Sequence, residues 1–470
     1  MGITNIGENI DMKKRIWFLA TVTFLFSTIV HAEIVLPNIF TDNMVLQRNS
    51  EVHIWGWGDL NEEVTIVTSW DDKEYKVTTL LTTKWNLQVS TPDAGGPFTV
   101  HVKGKSNEII LKNVLIGEVW LCSGQSNMEW SANLGIDNAA EEIKNANYPN
   151  IRFFSVTKRT SETKQDNIIG SWEECTPESM QDFTAIGYFF ARKLKEDLDI
   201  PIGIIDTGWG ATSAEVWTPE SVFEESTYLG EQAKKIGENK WAPVKPSILY
   251  NAMIYPLQQF KIAGALWYQG ESNTANNESY EELFSKMITS WRKNWGYDFP
   301  FYYVQIAPYT YGKPEQGVLV RDAQRRALKI ENTAMVVVSD ICTVDDIHPT
   351  NKQDVGLRLA NIALKEQYKS LQAEVYGPLF KEINILGSKV EVSFDHSEGL
   401  NFQGKKGTHF EVAGTDGNYY VAKAKIKDEK VILSAKEVKE PKKVRFAWSN
   451  TALPNLFNGA GLPASSFISN

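Results

Sequence analysis

Residues 114–128, VLIGEVWLCSGQSNM, are the stretch from which the fold of this chain is predicted. Residues 114–121 form a mostly apolar run of the length that is typical of a buried strand. The turn that follows, Gly124-Gln125-Ser126, leaves a hydroxyl group at the end of that strand. Because open α/β sheets expose their functional groups at the carboxyl ends of strands, the stretch predicts a parallel sheet with Ser126 as a candidate nucleophile.

The chain after residue 113 alternates apolar strands with amphipathic helices. Further strands are predicted at 202–205, 262–268, 301–306 and 335–339. Helices are predicted at 183–198, 279–295, 318–329 and 353–368, and Ser279 with Glu282 forms a capping box at the start of the second. Alternation with connections of crossover length indicates an α/β fold with a doubly wound parallel sheet.

Short alternating segments on either side of this region predict β modules. We divide the chain into residues 1–32, a signal peptide with upstream residues; 33–112, an N-terminal β module; 113–371, the catalytic domain; and 372–470, a C-terminal β module. The two β segments form either one module or two, and the sequence leaves both open.

The N-terminus has the features of an export signal. A basic start at residues 12–15 precedes an uncharged, mostly apolar run at 16–30, and Val30-His31-Ala32 is an acceptable cleavage site. The apolar run is shorter than the roughly 20 residues that span a bilayer. We therefore expect a periplasmic or secreted protein without a membrane span in the mature chain.

Composition argues against several classes of protein. The formal net charge of −10 and the pI near 5.3 argue against a nucleic-acid-binding surface. Three cysteines, Cys122, Cys175 and Cys342, do not make a disulfide framework, and no Cys/His spacing suggests a metal site. The fifteen tryptophans suit β-sheet cores, and some of them suit a sugar-binding cleft.

A second group of polar residues complements the serine. Asp345 precedes His348 by three residues, so its carboxylate can orient the imidazole. His348 is the best candidate for the general base, since its unperturbed pKa is close to working pH. Of the histidines outside the signal segment, it is the one in the α/β region beside a carboxylate. Ser126, Asp345 and His348 together predict an acyl-transfer site.

Two further strand ends carry candidate donors for an oxyanion hole. Residues 207–212, TGWGAT, contain glycines that let backbone N–H groups approach a ligand, although a plain strand-to-helix turn has the same composition. Residues 267–273, WYQGESN, offer the side-chain amides of Gln269 and Asn273, although an ordinary polar loop or a helix cap has this composition too.

These motifs resemble those of the SGNH hydrolases, specifically the sialate O-acetylesterase group of carbohydrate esterases. The resemblance covers nearly all of the chain after residue 32. It rests on WLCSGQSNMEW at 120–130, GWGATSAEVW at 208–217, WYQGESN at 267–273, DDIHP at 345–349, and the closing segments AWSN at 447–450, NLFN at 455–458 and GLPAS at 461–465.

The resemblance implies a flavodoxin-like doubly wound sheet and a deacetylase that uses neither a metal ion nor another cofactor. Ser126 would attack the acetyl carbonyl, His348 would move the proton, and Asp345 would orient His348. The oxyanion hole would combine the backbone N–H groups of Ser126 and Gly210 with the side chain of Gln269. Ala211 stands where the family commonly has a second glycine, and Gln269 where SGNH enzymes have asparagine. Ala211 and Asn273 are therefore the alternative donors.

The resemblance also implies an acetylated sugar as substrate, with O-acetylated sialic acid first. Sialic acid carries a carboxylate, which calls for a cation, and Arg321 is the candidate. Asn251 and Trp130 are further candidates for substrate contact. A neutral acetylated polysaccharide such as xylan is the alternative substrate, and it requires no cation. The sequence predicts no oligomeric state.

Two other classes of protein fit the sequence less well. An α/β-hydrolase shares the chain order Ser, Asp, His, but its G-x-S-x-G motif needs glycine where Met128 stands, and its Asp and His lie much further apart. A non-catalytic carbohydrate-binding protein would fit the β modules and the tryptophans. Such a protein has no use for Ser126, Asp345 and His348 at strand ends.

Overall fold

A computed structural model of the protein describes residues 33–469. The predicted signal peptide lies outside these residues. Within residues 33–469, no helix is both long and apolar enough to cross a bilayer.

The N-terminal β module is present, and its sheet continues into the catalytic domain. Its strands are β1 (Val45–Gln47), β2 (Glu51–Trp57), β3 (Glu63–Thr68), β4 (Glu74–Thr78), β5 (Lys84–Ser90) and β6 (Gly95–Lys103). The next strand, β7 (Glu108–Gly124), pairs with β6 in its first half and with the central parallel sheet in its second half. The predicted boundary at residue 112 therefore falls inside one long strand rather than in a linker.

The catalytic region is built on a parallel sheet, as the sequence predicts. Its other strands are β8 (Tyr148–Ser155), β9 (Trp172–Cys175), β10 (Ile202–Asp206), β11 (Gly264–Tyr268), β12 (Phe301–Val304) and β13 (Thr333–Val336). All pair in parallel except β9, which is antiparallel to β8 at the edge. β11 is buried along its whole length, as expected of a parallel strand covered on both faces.

The spatial order of the sheet is β13-β12-β11-β7-β10-β8-β9. Counted along the chain, the parallel strands run 2-3-1-4-5-6, whereas flavodoxin-like sheets run 2-1-3-4-5. The first and third strands are thus exchanged relative to the expected order. β8 was not among the predicted strands, and without it the order cannot be derived from the sequence.

Helices cover both faces of this sheet. In chain order they are α1 (Ser126–Glu129), α2 (Ala139–Asn145), α3 (Pro177–Met180), α4 (Ala185–Leu198), α5 (Glu220–Glu225), α6 (Thr227–Ala233), α7 (Tyr280–Trp295), α8 (Gln316–Arg326) and α9 (Lys352–Glu366). The buried residues of α4 and α9 share one hydrophobic core, and those of α7 share another with the N-terminal module. The protein thus has a mixed α/β fold with a largely parallel central sheet between two layers of helices.

The local signals for helix ends are only partly correct. The Thr184 hydroxyl accepts from the Gly187 N–H at 3.3 Å and caps α4. The predicted capping box at Ser279 is wrong. Its side chain makes no cap hydrogen bond and donates instead to the Asn276 carbonyl at 3.3 Å. A turn of 3₁₀ helix, Glu271–Ser279, runs directly into α7, so Ser279 already has helical dihedral angles.

The C-terminal strands pair with one another and form a separate core. The first sheet has four strands in the order β14 (Leu379–Leu386), β15 (Lys389–Asp395), β20 (Lys430–Ser434) and β19 (Lys423–Lys427). The second sheet has four strands in the order β18 (Tyr419–Val421), β17 (Phe410–Ala413), β21 (Lys443–Phe446) and β23 (Phe467–Ile468). In the third, β16 (Asn401–Phe402) pairs with β22 (Leu456–Phe457). Phe394, Phe446 and Phe467 lie in their common core. Residues 419–427 are divided between the first two sheets, with β18 in one and β19 in the other.

Candidate active site

A cleft of about 380 Å³ lies at the carboxyl ends of the parallel strands. Its lining comes from the loops after β7, β8, β10, β11 and β13 and includes Gln125, Ser126, Glu129, Lys158, Trp209, Gly210, Ala211, Trp241, Glu271, Ser272, Ile347 and His348. The structure therefore brings residues of all four sequence-predicted loops to one edge of the sheet.

The serine turn is held rigidly at the end of β7. Gly124 has a φ of +138°, and a Cβ atom there would lie 2.2 Å from the Tyr268 carbonyl oxygen, so only glycine fits. The side-chain oxygen of Gln125 accepts from the Gly270 and Ser272 N–H groups at 3.3 and 3.2 Å. Ser126 is the first residue of α1, where backbone N–H groups have no partner within the helix. The turn thus presents both the hydroxyl and a free N–H.

Ser126 and His348 are in hydrogen-bond contact. Oγ of Ser126 and Nε2 of His348 lie 2.8 Å apart, although 222 residues separate them along the chain. The Trp130 ring stacks on the imidazole with ring centres 4.1 Å apart, and its indole N–H donates to the Gly135 carbonyl at 2.8 Å. Trp130 is therefore placed to hold His348 in position, and it is absent from the cleft lining. The substrate contact predicted for it is not found.

The carboxylate expected at His348 is not in contact with the imidazole. Asp345 is exposed, and within residues 33–469 no hydrogen bond joins it to His348, whose Nδ1 also has no partner. The adjacent Asp346 accepts from the His348 backbone N–H at 2.8 Å. Catalytic hydrogen bonds are often long in unliganded enzymes and tighten when substrate binds. Asp345 as the orienting carboxylate stays a prediction.

Two backbone N–H groups in the loop after β10, those of Gly210 and Ala211, are candidate oxyanion donors, and they differ in whether they are already hydrogen-bonded. The Gly210 N–H donates to the Glu129 carboxylate at 2.6 Å, so it is already engaged. The Ala211 N–H has no acceptor among residues 33–469, and Ala211 lines the cleft with a φ of +59°. Of the two donors that the sequence left open, the free one is Ala211.

The side chains of Gln269 and Asn273 are engaged elsewhere, which corrects both predictions. Nε2 of Gln269 donates to the Thr212 carbonyl and to Oδ1 of Asn273, at 3.2 and 2.7 Å. Oδ1 of Asn273 also accepts from the Ala214 N–H, and its amide donates to Glu215. Gln269 has no N–H left for an oxyanion, and Asn273 shares this fully bonded network. Both hold the loops after β10 and β11 together.

Arg321 and Asn251 also lie away from the cleft. Arg321 is 1% exposed and donates to the carbonyls of Ser449 and Asn450, so it joins α8 to the C-terminal module. The side chain of Asn251 donates to the Ser161 carbonyl at 3.3 Å. Helical periodicity gives the face of a helix but not the module that covers it. The substrate contacts predicted for both residues are therefore wrong.

The burial of Arg321 leads to a prediction about stability. Substituting Arg321→Met should lower the free energy of unfolding by about 1–3 kcal/mol, because the carbonyls of Ser449 and Asn450 lose the buried donor that joins them to α8. The Michaelis constant for O-acetylated sialic acid should stay unchanged. Denaturant unfolding and steady-state kinetics measure these quantities. Lys313→Met, at an exposed position just before the same helix, is the control. A raised Michaelis constant with an unchanged free energy of unfolding would indicate that Arg321 contacts the substrate after all.

Several residues of the site were not anticipated from the sequence. Glu129 pairs with Lys158 at 2.5 Å. Behind the serine, Nζ of Lys352 donates to Asn127, whose amide donates to the buried Glu271. Burial lowers the pKa of Lys352 to about 7 and raises that of Glu271. Glu129 and Glu271 lie inside the sequence motifs quoted above, so they could have been predicted as site residues. Lys158 and Lys352 lie outside every motif, and nothing in the sequence indicates that they belong to the site.

Glu129 joins α1, the short helix that begins at Ser126, to Gly210 in the loop after β10, and the importance of this contact can be tested. Glu129→Ala should lower kcat by about 10²-fold with little change in KM, because a displacement of about 1 Å at the reacting groups has that effect. Glu129→Gln keeps an oxygen that accepts from Gly210 and should restore most of kcat. Kinetics with p-nitrophenyl acetate measure both. Equal losses in the two variants would show that the contact with Gly210 is not what matters.

The environment of His348 predicts the acid side of the pH profile. Burial, and then the charge of Lys352, lower the pKa of His348 below its ordinary 6.5, while Asp346 opposes the shift. A general base must be neutral, so activity is lost as pH falls through this pKa. The acid inflection of kcat/KM should therefore lie below 6.5 in a pH-stat assay of acetate release. An inflection above 6.5 would contradict the assignment of His348 as a buried base.

No group of three or more His, Cys, Asp or Glu side chains within residues 33–469 is arranged to hold a metal ion. Cys122, Cys175 and Cys342 are free thiols, and burial raises the pKa of each. None of them lines the cleft. The cleft lining does present a hydroxyl, an imidazole and backbone donors, which is the equipment of serine-dependent acyl transfer.

Comparison with known proteins agrees with this chemistry. A family model described as carbohydrate esterase, sialic acid-specific acetylesterase, matches residues 116–365, which include every residue of the cleft lining. The sialate O-acetylesterase of Mus musculus is 30% identical over 443 residues, with 80% of this chain and 81% of that protein covered. The sialate O-acetylesterase of Homo sapiens is 29% identical over 411 residues, covering 79% and 78%.

A solved structure extends the similarity to the whole fold. The crystal structure of a carbohydrate acetylesterase from Xanthomonas citri superposes with a TM-score of 0.85 at 34% sequence identity. The match covers 93% of this chain and 100% of that one. The β modules on both sides of the catalytic domain are thus part of the shared architecture.

Proposed function

The chain belongs to the sialic acid-specific acetylesterase family of carbohydrate esterases, and we propose from this that it is a serine esterase that removes O-acetyl groups from sialic acids. The observation that carries the proposal is the 2.8 Å contact between Oγ of Ser126 and Nε2 of His348 inside the cleft. We further assign the catalytic domain to the SGNH hydrolases. That assignment is supported by a proposed nucleophile two residues after β7 and a proposed base in the loop that follows β13.

The reaction proceeds in two half-reactions. Oγ of Ser126 attacks the acetyl carbonyl carbon while Nε2 of His348 takes the hydroxyl proton. The tetrahedral oxyanion is stabilised by the backbone N–H groups of Ser126 and Ala211. The C–O bond to the sugar breaks, and His348 returns the proton to the sugar oxygen, which leaves an acetyl-enzyme. Water, deprotonated by His348, then releases acetate and restores Ser126.

The orienting carboxylate in this proposal is Asp345. Nδ1 of His348 lacks a hydrogen-bond partner among the described residues, and Asp345 is an exposed carboxylate three residues away with no competing ion pair there. Its rotation to Nδ1 on substrate binding would fix the tautomer in which Nε2 accepts the serine proton.

Lys158 replaces Arg321 as the cation proposed to bind the substrate carboxylate. Its ammonium lines the cleft beside Trp209 and Trp241. An ammonium has three donor hydrogens, and Glu129 is its acceptor at 2.5 Å, which leaves capacity for a second carboxylate. Lys158→Met should therefore raise KM for O-acetylated sialic acid and leave KM for acetylated xylo-oligosaccharides unchanged.

The decisive experiment compares acetate release from O-acetylated N-acetylneuraminic acid with release from acetylated xylo-oligosaccharides. We expect a higher kcat/KM for the sialic acid, and no release from either substrate by Ser126→Ala. A higher kcat/KM for the neutral sugar would contradict the proposed substrate but not the proposed serine esterase mechanism. Activity retained by Ser126→Ala would overturn the chemistry.

We also propose that the protein is exported, on the basis of the basic and apolar segments at residues 12–30. Expression of the full chain with separation of the periplasm and medium from the cytoplasm tests this. The mature N-terminus should begin at Glu33, which N-terminal sequencing would detect. A cytoplasmic protein that retains residues 1–32 would contradict it.

A further inference from the structure

A second cavity lies between the N-terminal β module and the catalytic domain, outside the cleft lining. Its volume is about 200 Å³. Three aromatic side chains line it: Trp55 and Trp57 from β2, and Tyr255 from the catalytic domain. Ligand sites are frequent at domain junctions. Nothing in the proposed reaction uses this cavity.

The pairing of β2 with β5 decides which side chains face the cavity. Trp55 pairs with Asn86 and Trp57 pairs with Lys84, so these four side chains share one face of the strand pair. Gly56 pairs with Trp85, and a Cβ atom on Gly56 would lie 2.9 Å from the Trp85 ring. The Trp85 ring therefore packs over Gly56 on the opposite face and supports the strand pair from behind. Its N–H donates to the Trp57 carbonyl at 3.2 Å, which fixes the ring.

Two indole N–H groups at the cavity have no acceptor among residues 33–469. Buried tryptophans normally donate their N–H to an acceptor. In this protein Trp172, Trp217 and Trp291 do so, whereas Trp267 does not. Trp55 is only 7% exposed, yet neither its N–H nor that of Trp57 meets an acceptor within residues 33–469. Both rings line the cavity, so their donors are available to a bound molecule.

The polar rim of the cavity is balanced in charge. Nζ of Lys84 pairs with Asp166 at 2.8 Å, and both residues line the cavity. The amide side chains of Gln165 and Gln258 add donors and acceptors without charge. An anion would have to compete with Asp166 for Lys84, whereas a neutral polyol can hydrogen-bond to either side chain. The lining therefore favours a neutral ligand.

Size and surface together indicate a single sugar ring. The cavity is smaller than the roughly 300–1,000 Å³ of pockets that enclose drug-sized ligands. A pyranose has apolar C–H faces that pack on aromatic rings and hydroxyls that accept from indole N–H groups. Aromatic rings bordered by amides and a compensated ion pair match both properties.

One loop connects this cavity to the catalytic cleft. Residues 156–171 join β8 to β9, with Lys158 in the cleft and Gln165 and Asp166 at the second cavity. Lys158 and Asp166 are eight residues apart, so at most about 28 Å separates them even in a fully extended chain. A glycan of a few sugar units can reach both places.

We propose that this cavity is a second binding site that takes a neutral pyranose unit of a glycan, separate from the site of ester hydrolysis. Sugar binding there requires no chemistry, so the proposal stands or falls independently of the esterase assignment. Trp55 and Trp57 supply the hydrogen-bond donors, and their rings supply apolar surface together with Tyr255.

The test uses the full chain carrying Ser126→Ala, so that no probe is hydrolysed. Methyl β-galactoside, lactose and xylobiose are titrated by intrinsic tryptophan fluorescence and by saturation-transfer NMR, with N-acetylneuraminic acid as the charged comparison. We expect saturable binding of a neutral sugar, weakened at least tenfold by Trp57→Ala. Trp55→Phe, which keeps a ring and removes the N–H, should weaken binding by a smaller factor. Trp241→Ala in the catalytic cleft should leave binding unchanged.

Three results would overturn the proposal. They are no saturable binding of any neutral sugar, binding of N-acetylneuraminic acid in preference to all of them, or binding that Trp241→Ala abolishes and Trp57→Ala does not affect. Thermal unfolding of each variant identifies those that are not folded. If Trp57→Ala fails to fold, Trp55→Phe carries the test, because it keeps the buried aromatic volume close to that of the native side chain.

Discussion

Replacing Ser126 with alanine should lower kcat/KM for acetyl esters by about 10⁶-fold, to the level of residual binding and oxyanion stabilisation. The loss is this large because we propose the hydroxyl as the nucleophile: without it no acetyl-enzyme would form, and His348 would have no proton to accept. The substitution removes one oxygen from a side chain at the cleft wall, so the melting temperature should stay within a few degrees of the wild type. Acetate release and thermal unfolding measure the two effects.

A matched control separates the nucleophile from a general effect of serine removal. Ser155 is exposed at the end of β8 in the same sheet, and Ser155→Ala should keep full activity. Mass spectrometry of the wild type quenched during turnover should find acetyl on the peptide that contains Ser126. Acetylation of another residue, or activity retained by Ser126→Ala, would move the nucleophile elsewhere.

Replacing His348 with alanine should lower kcat/KM by about 10⁴- to 10⁶-fold, because the serine loses its general base and the sugar oxygen loses its acid. Added imidazole should restore part of the activity by entering the space beside Trp130. His101→Ala, at a surface histidine paired with Glu108, is the control and should remain fully active. A loss of less than tenfold in His348→Ala would mean that another group accepts the serine proton.

Substituting each of the two aspartates before His348 shows whether its carboxylate orients the imidazole or only supports the local backbone. Asp345→Asn should lower kcat by about 10²- to 10⁴-fold if its carboxylate holds the imidazole tautomer during turnover. Asp346→Asn keeps an oxygen for the His348 backbone N–H and should have a small effect. The reverse ranking would assign the orienting role to Asp346.

The strand ends were predictable because they depend on local signals. An apolar run followed by glycine and a short polar stretch marks β7, β10 and β11 in the sequence, and parallel strands necessarily bring such ends to one edge. Ser126, Gly210 and His348 therefore meet as expected. β8 escaped prediction, because its first residues are polar and exposed and its apolar part is short.

The side-chain assignments failed where several partners compete for one group. Gln269 and Asn273 have the donors that an oxyanion hole needs, but neighbouring carbonyls and Glu215 already use them. Arg321 has the charge that sialic acid calls for, but the C-terminal module covers it with carbonyl groups. A sequence shows which groups a residue carries, and only packing decides which partner reaches them first.

The sequence by itself determined the α/β class of this protein and predicted the pair of Ser126 and His348 that meets in the cleft. Both follow from local patterns and from the chemistry of a few side-chain types. The tertiary structure alone decided which N–H groups remain free for an oxyanion, which cation faces the cleft, and where a second ring-lined cavity forms. These properties depend on contacts between residues far apart in the chain, such as Glu129 with Gly210 and Gly56 with Val35. The free energies of such contacts are settled by competition among all neighbours, which no local pattern records.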